Sequence, residues 1–511
     1  MGVPERIQGK LVLIFLTRLA KVVRSSTCRQ YGMGRQILRQ VSLVWLSGTF
    51  VLAFATDSRA TGVHDAKDFI LGVDLSYVSQ MEDCGVRYAD GDTVMDPFGI
   101  FRQNGANMVR VRLFHTPDWT KYSTLADVKR TIRRARDQGF SVLLDFHYSD
   151  NWADPQRQHI PSAWKDLGSL EELEEAMYAY TFQTLYALHA AGLLPDMVQV
   201  GNETNIEILQ PVGVQKETID WPRNAALLNK GVRAVRDISE LTGQAIEVML
   251  HVAQPENIEP WFEQAIAHGV SDFDVIGVSY YSKWSSQSMR EMALTLLAVR
   301  HRFSRDVIVV ETGYPWTLSH SDEGHNLLGR DALVPGFKAT KRGQRKYMIA
   351  LTQAVIAAGG RGLFYWEPAW VGNDCPTQWG RGSAWENVAL FDFSNPHRAL
   401  PAMDFLSHGY VFPEPVHFQF EPVIEDPPEV VYLWGDFVGS NRFLIPLKLE
   451  RGLYSYQTVV MDGERFRFQL YADSQLSEPL LKGQHLQAGF DLHDVLGEPQ
   501  FVRRQVFAES P

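Results

Sequence analysis

The chain predicts an α/β fold: a (β/α)8 TIM barrel over residues 66–412, followed by a small C-terminal all-β sandwich domain at 421–511. Three observations lead there. Eight short apolar runs between residues 69 and 368 alternate with stretches of helical period. Nearly every run ends on polar or aromatic residues, which a barrel gathers on one face at the carboxyl ends of its strands. No Gly-rich phosphate loop follows the first run, so a doubly wound open sheet loses its main support.

The strand-like runs, in order, are FILGVD (69–74), NMVRVRLF (107–114), SVLLDFHY (141–148), DMVQVGNE (196–203), AIEVMLH (245–251), FDVIGVSYY (273–281), DVIVVET (306–312) and GLFYWEP (362–368). Between them lie amphipathic patterns such as LADVKRTIRRARDQG (125–139), LEELEEAMYAYTFQTLYALHAAG (170–192) and RGQRKYMIALTQAVIAAGG (342–360). Glycines at their ends are stop signals that turn the chain into the next strand. The strand ends then carry Asp74, Arg110 and Arg112, His147, Asn202 and Glu203, His251, Tyr280 and Tyr281, Glu311, and Trp366 and Glu367.

Both flanks of the barrel read differently. Residues 1–60 form a leader: VSLVWLSGTFVLAFA (41–55) follows Arg35 and Arg39 and ends on Ala53-Phe54-Ala55, a small-x-small cleavage pattern, with Ser58-Arg59-Ala60 as a second site. Met33 offers an alternative start. The apolar run is short for a membrane span, so the mature protein is expected to be secreted or periplasmic, with an uncleaved signal anchor as the alternative. At the other end, EPVIEDPPEV (421–430) reads as a linker before alternating strands such as VVYLWGDF and YSYQTVVM. There Trp434 and Tyr454 suit either glycan binding or packing against the barrel. A net charge of −11 argues against nucleic acid or anionic lipid as a partner.

Two of the strand ends carry the chemistry. Glu203 closes the fourth strand and Glu311 the seventh, on opposite sides of one mouth, where burying two carboxylates has no structural excuse. Facing carboxylates in an aromatic cleft are what glycoside hydrolysis requires: one protonates the leaving oxygen and the other attacks the anomeric carbon, or activates water if the two stand farther apart. In this reading Asn202 bonds the sugar 2-hydroxyl, and Tyr281 donates to Glu311. Arg110 and Arg112 hold Glu311 ionised. His251 tunes the acid, and Trp366 is the floor under the attacked sugar.

Seven segments, GANMVRVRLF, LLDFHYSDNWADPQRQ, MVQVGNETN, VIGVSYYSKW, VVETGYPW, YWEPAW and GSAWENVALFDF, together resemble glycoside hydrolase family 53, the arabinogalactan endo-β-1,4-galactanases. The resemblance covers about 67–410. It implies a retaining clan A barrel with Glu203 as acid/base and Glu311 as nucleophile, hydrolysing β-1,4-galactan. It further implies that His147, Asp150, Trp152 and Asp154 shape the cleft and that Trp316 joins the substrate-binding set. Catalysis would need no cofactor. Some relatives hold a structural calcium ion, for which Glu323, His325, Ser383 and Glu386 stand in matching places. The alternatives are another clan A endoglycanase, for mannan or xylan, and a non-catalytic glycan-binding barrel.

Cys28 lies in the leader, which leaves Cys84 and Cys375 as an even pair. They fall in the loops after the first and eighth strands, which barrel closure makes neighbours, so an exported protein is expected to join them.

Overall fold

The computed structural model describes residues 64–413 except 215, 217 and 379, together with segments 416–420, 429–435, 444–459, 466–471, 479–485 and 506–507. The expected leader and most of the expected linker at 421–430 lie outside the described residues. Eight parallel strands close into a barrel: β1 (Ile70–Asp74), β2 (Met108–Leu113), β3 (Ser141–Phe146), β4 (Met197–Val200), β5 (Glu247–Ala253), β6 (Val275–Ser279), β7 (Asp306–Glu311) and β8 (Gly362–Tyr365). Closure runs through β1, which pairs with β8 on one side and β2 on the other.

Eight helices lie between the strands: α1 (Val78–Asp83), α2 (Pro97–Gln103), α3 (Leu125–Asp137), α4 (Leu170–His189), α5 (Trp221–Thr242), α6 (Ile258–Ala267), α7 (Met289–Phe303) and α8 (Lys341–Ala357). Their starts are written in the sequence. Ser169 with Glu172, and Ser288 with Glu291, form reciprocal capping boxes on α4 and α7, and each side-chain cap is worth about 1 kcal/mol. Among the described residues no helix is long and apolar enough to cross a membrane.

Alternation along the strands divides the core in two. Ile70, Met108, Leu143, Met197, Met249, Val275, Ile308, Val310 and Phe364 fill the barrel interior. The opposite faces pack on the helices through residues such as Val109, Leu144, Val198 and Ile276. The interior closes only because Gly72 has no side chain: a Cβ there would stand 2.2 Å from the Phe364 ring. These apolar layers fill the middle of the barrel; Arg361 pairs with Glu247 and Asp306 at its lower end, and the other polar side chains gather at its upper end.

Seven further strands form one hydrogen-bonded succession behind the barrel: β9 (Val416–Phe420), β10 (Val430–Gly435), β11 (Leu444–Glu450), β12 (Leu453–Thr458), β13 (Phe466–Tyr471), β14 (Pro479–His485) and β15 (Val506–Phe507), in the order β14-β13-β10-β11-β12-β9-β15. β11 bridges its two halves, pairing with β10 through Leu444–Lys448 and with β12 through Leu449 and Glu450. The all-β region begins with Val416, before the expected boundary at 421, because β9 pairs with β12. It packs on the barrel. His301 of α7 is buried against Thr458, whose Oγ1 lies 2.8 Å from His301 Nε2, and its ring also contacts Tyr456.

Candidate active site

Polar side chains from seven strands, β1 to β7, meet at the upper end of the barrel. Arg110 of β2 is their hub, and it is only 1% exposed. Its Nη1 donates to Asp74 Oδ2 at 2.9 Å and stands 2.8 Å from Glu311 Oε1. Its Nη2 donates to Asp145 Oδ2 at 2.9 Å and to Asn202 Oδ1 at 2.8 Å, and its Nε to Gln199 Oε1 at 3.2 Å. A lone buried guanidinium would be costly; here five donors find partners in a rigid fork.

Glu203 arrives by a strained turn. Past the end of β4, Gly201 has φ +88°, and Glu203 itself has φ +44°, a left-handed conformation that non-glycine residues rarely hold without a cause. The turn is pinned: the Glu203 and Thr204 amides donate to His251 Nδ1 (3.2 Å) and His251 O (2.9 Å). The partly buried Glu203 side chain accepts from Ser279 Oγ at 2.7 Å. Across the mouth, Tyr281 Oη donates to Glu311 Oε2 at 3.3 Å.

The two carboxyls have unlike surroundings. Burial, then the charge of Glu311, pushes the Glu203 pKa well above the ordinary carboxyl range. Burial also raises Glu311, but the Arg110 cation opposes it, while Asp145 and Asp74 push the other way. Glu203 has a neutral hydroxyl where Glu311 has a guanidinium, so the shared proton resides on Glu203 and Glu311 carries the charge. His251, wholly buried and facing Arg110, is held well below the usual histidine pKa and stays neutral.

Aromatic rings wall one side. Trp366 packs edge-on against Trp385 (4.8 Å), Trp152 (6.0 Å) and Trp370 (6.1 Å), and Tyr77 stacks on Trp370 at 4.0 Å. Trp366 stays partly open at the end of β8, where a sugar face can stack. Tyr281 meets the half-exposed ring of Trp284 at 5.1 Å.

One expected role needs correction, and the other residues of the expected set take the following partners. Arg112 does not touch Glu311; its Nη1 pairs with Glu367 Oε1 at 3.1 Å, and its guanidinium lies 4.0 Å over the Trp152 ring. It fixes the aromatic wall instead. His147 spends both ring nitrogens inside the protein, on Asp145 Oδ2 and the Ala153 amide, so it positions the loop after β3. Asp150 likewise ties loops, accepting from the Thr116 and Ser162 amides. Asp154 pairs with Arg157, and its charge helps raise Glu203. Trp316 donates to Glu386 O and packs on Phe393 and under Lys341. The amide of Asn202 donates to Ala153 O while its oxygen binds Arg110.

The proposed calcium ligands do not assemble. Glu323 and His325 are exposed. Glu386 is occupied by the Ser321 amide at 2.8 Å and by its hydroxyl, and Ser383 Oγ donates to Trp370 O. Asp322 instead joins these loops, accepting from the Gly324, Asn373 and Ser383 amides. Among the described residues no group of three or more His, Cys, Asp or Glu is placed to hold a metal ion. Cys84 and Cys375 form a disulfide with Cα atoms 5.8 Å apart, joining the loops after β1 and β8.

Asp145, Gln199, Ser279 and Glu367 belong to the site but carry no expected role in the sequence reading. Their signal was present: each is a polar side chain within or just after an apolar strand, at a position where burial without a partner is costly.

A profile for Glycosyl hydrolase family 53 matches residues 70–406. An arabinogalactan endo-beta-1,4-galactanase of Cellvibrio japonicus is 50% identical over 366 residues, 71% of this chain and 97% of that protein. An endo-beta-1,4-galactanase of Bacillus subtilis is 33% identical over 388 residues, covering 68% and 87% respectively. Among solved structures, the GH53 catalytic domain of Ignisphaera aggregans superimposes with a TM-score of 0.61 at 35% identity, covering 67% of this chain and 97% of that one. A fungal beta-1,4-galactanase gives 0.57 at 29% identity, covering 66% and 98%.

Proposed function

The chain belongs to glycosyl hydrolase family 53, and from that premise we propose that it is a retaining endo-β-1,4-galactanase in which Glu203 is the acid/base and Glu311 the nucleophile. The observation that carries the assignment of roles is the unequal pairing of the two carboxyls: Arg110 stands on Glu311 and Ser279 on Glu203.

In the first step the Glu311 carboxylate attacks the anomeric carbon of a galactosyl unit while the Glu203 carboxyl gives its proton to the departing glycosidic oxygen. The C–O bond to the leaving chain breaks and a covalent galactosyl ester forms. In the second step Glu203, now ionised, takes a proton from water. The water oxygen attacks the same carbon, the ester breaks, and the configuration is retained. Arg110 and Tyr281 favour the charged Glu311 that begins and ends the cycle. Trp366 supports the attacked sugar, with Trp152 and Trp370 behind it. Catalysis in this scheme uses side chains alone.

The substrate is β-1,4-galactan, as in the galactan side chains of pectin. Export to a secreted or periplasmic location is supported by the apolar leader and by the Cys84–Cys375 disulfide, which suits an oxidising compartment. Reducing-sugar release from galactan, arabinogalactan, mannan and xylan tests the whole reading. Galactan is expected to be the preferred polymer, with the β-anomer as first product by NMR. Equal or better hydrolysis of mannan or xylan would refute the substrate, and no hydrolysis of any polymer would refute the enzyme.

A further inference from the structure

Behind Glu203 lies a chain of hydrogen bonds whose direction can be worked out. His251 Nδ1 faces the Glu203 backbone N–H at 3.2 Å and the Gln199 amide nitrogen at 3.0 Å. A backbone N–H can only donate, so Nδ1 is the acceptor and the proton of the neutral ring sits on Nε2. The Asn202 oxygen, 3.0 Å from Nδ1, already accepts from Arg110 and Gln199. His251 Nε2–H then donates to Ser279 Oγ at 2.9 Å, which leaves the serine hydroxyl hydrogen only one direction, toward Glu203 Oε1 at 2.7 Å. Ser279 and His251 are both wholly buried, so water does not compete for these bonds.

We propose that Ser279, oriented by His251, is a positioning residue for the acid/base. It occupies Oε1 of Glu203 as an acceptor, and so confines the transferable proton to Oε2, the oxygen left for the leaving group. The proposal rests on the acid/base role assigned to Glu203. Its consequence differs from that of general structural support. Without the hydroxyl, either oxygen can carry the proton and the carboxyl is free to turn away, so only proton donation suffers.

The charged groups that set the titration of Glu203 are Glu311 of β7, Asp154 after β3 and Arg110 of β2, and the neutral His251 of β5 and Tyr281 after β6 also face it. Ser279→Ala leaves all of them in place. A hydroxyl that donates to the ionised carboxylate favours the charged form, so its loss raises the pKa of the acid. The alkaline limb of kcat/KM should therefore move up by about 0.5–1 pH unit.

The test compares Ser279→Ala with the wild type on β-1,4-galactan and on 2,4-dinitrophenyl β-galactobioside, whose leaving group departs without a proton. On galactan kcat/KM is expected to fall by roughly 10- to 100-fold, with little loss on the dinitrophenyl substrate. Ser279→Thr, which keeps the hydroxyl, should restore the galactan activity. Ser279→Cys, a weaker donor of similar shape, should fall between and repeats the comparison if the alanine variant folds poorly. Equal losses on the two substrates, or an alkaline limb that does not move, overturns the proposal. Glu203→Gln serves as the control: if it too loses equally on both substrates, the acid role of Glu203 is what has failed.

Discussion

Replacing Arg110 with methionine tests the electrostatic account of the site. The guanidinium is the cation shared by Asp74, Asp145 and Glu311, at 2.9, 2.9 and 2.8 Å. Charge centres about 4 Å apart attract by about 4 kcal/mol at an effective dielectric constant near 20. Losing that attraction raises the pKa of Glu311 by up to about 3 units. A nucleophile must be ionised, so the acid limb of kcat/KM should move up by a comparable amount, and activity at pH 6 should drop by about two to three orders of magnitude. Breaking such a buried charge cluster costs about 3–5 kcal/mol of stability. The assay is the pH dependence of reducing-sugar release from galactan, beside a thermal melt of the same variant. A folded Arg110→Met enzyme whose acid limb coincides with that of the wild type would refute the reasoning.

Four further outcomes are expected. Glu203→Gln and Glu311→Gln should each fold and lose nearly all activity on galactan; wild-type turnover in either removes that residue from the chemistry. Glu203→Gln should also melt higher than the wild type at pH 7–8, by roughly 1–3 °C. The folded pKa of Glu203 lies above its unfolded value, so the unfolded chain binds fewer protons and stability falls as pH rises between the two; an amide escapes that loss. The mature, denatured and unreduced protein should show no free thiols, because Cys84 and Cys375 are joined across 291 residues; chain-entropy arithmetic credits that bridge with about 6 kcal/mol. Truncation after Phe412 should preserve hydrolysis of small galacto-oligosaccharides while lowering the melting temperature, since it uncovers the buried His301 on α7; a truncated chain that is stable but inactive would contradict this.

The barrel and the two carboxyls at its mouth were legible in the chain because their signals are local. An apolar run of four to six residues must be a buried strand or part of a buried helix, and the alternation of runs with helical stretches decides between them. Barrel closure then requires polar strand ends to meet on one face, which places Glu203 opposite Glu311 and brings the cysteine loops together. The tertiary structure alone decided which partners the site residues take. Arg110 and Arg112 point the same way in the sequence pattern, but two residues along a strand is a rise of about 7 Å. That step lifts Arg112 out of the carboxylate layer and into the aromatic wall, onto Glu367, and leaves Glu311 to Arg110 alone. The calcium ligands show the same limit from the other side. Oxygen-bearing residues can be counted along a chain, but the donors that folding brings to them cannot, and here the amide and hydroxyl of Ser321 both donate to Glu386. A pattern fixes the direction of a side chain; only three-dimensional packing fixes its height in the barrel and the partner it meets there.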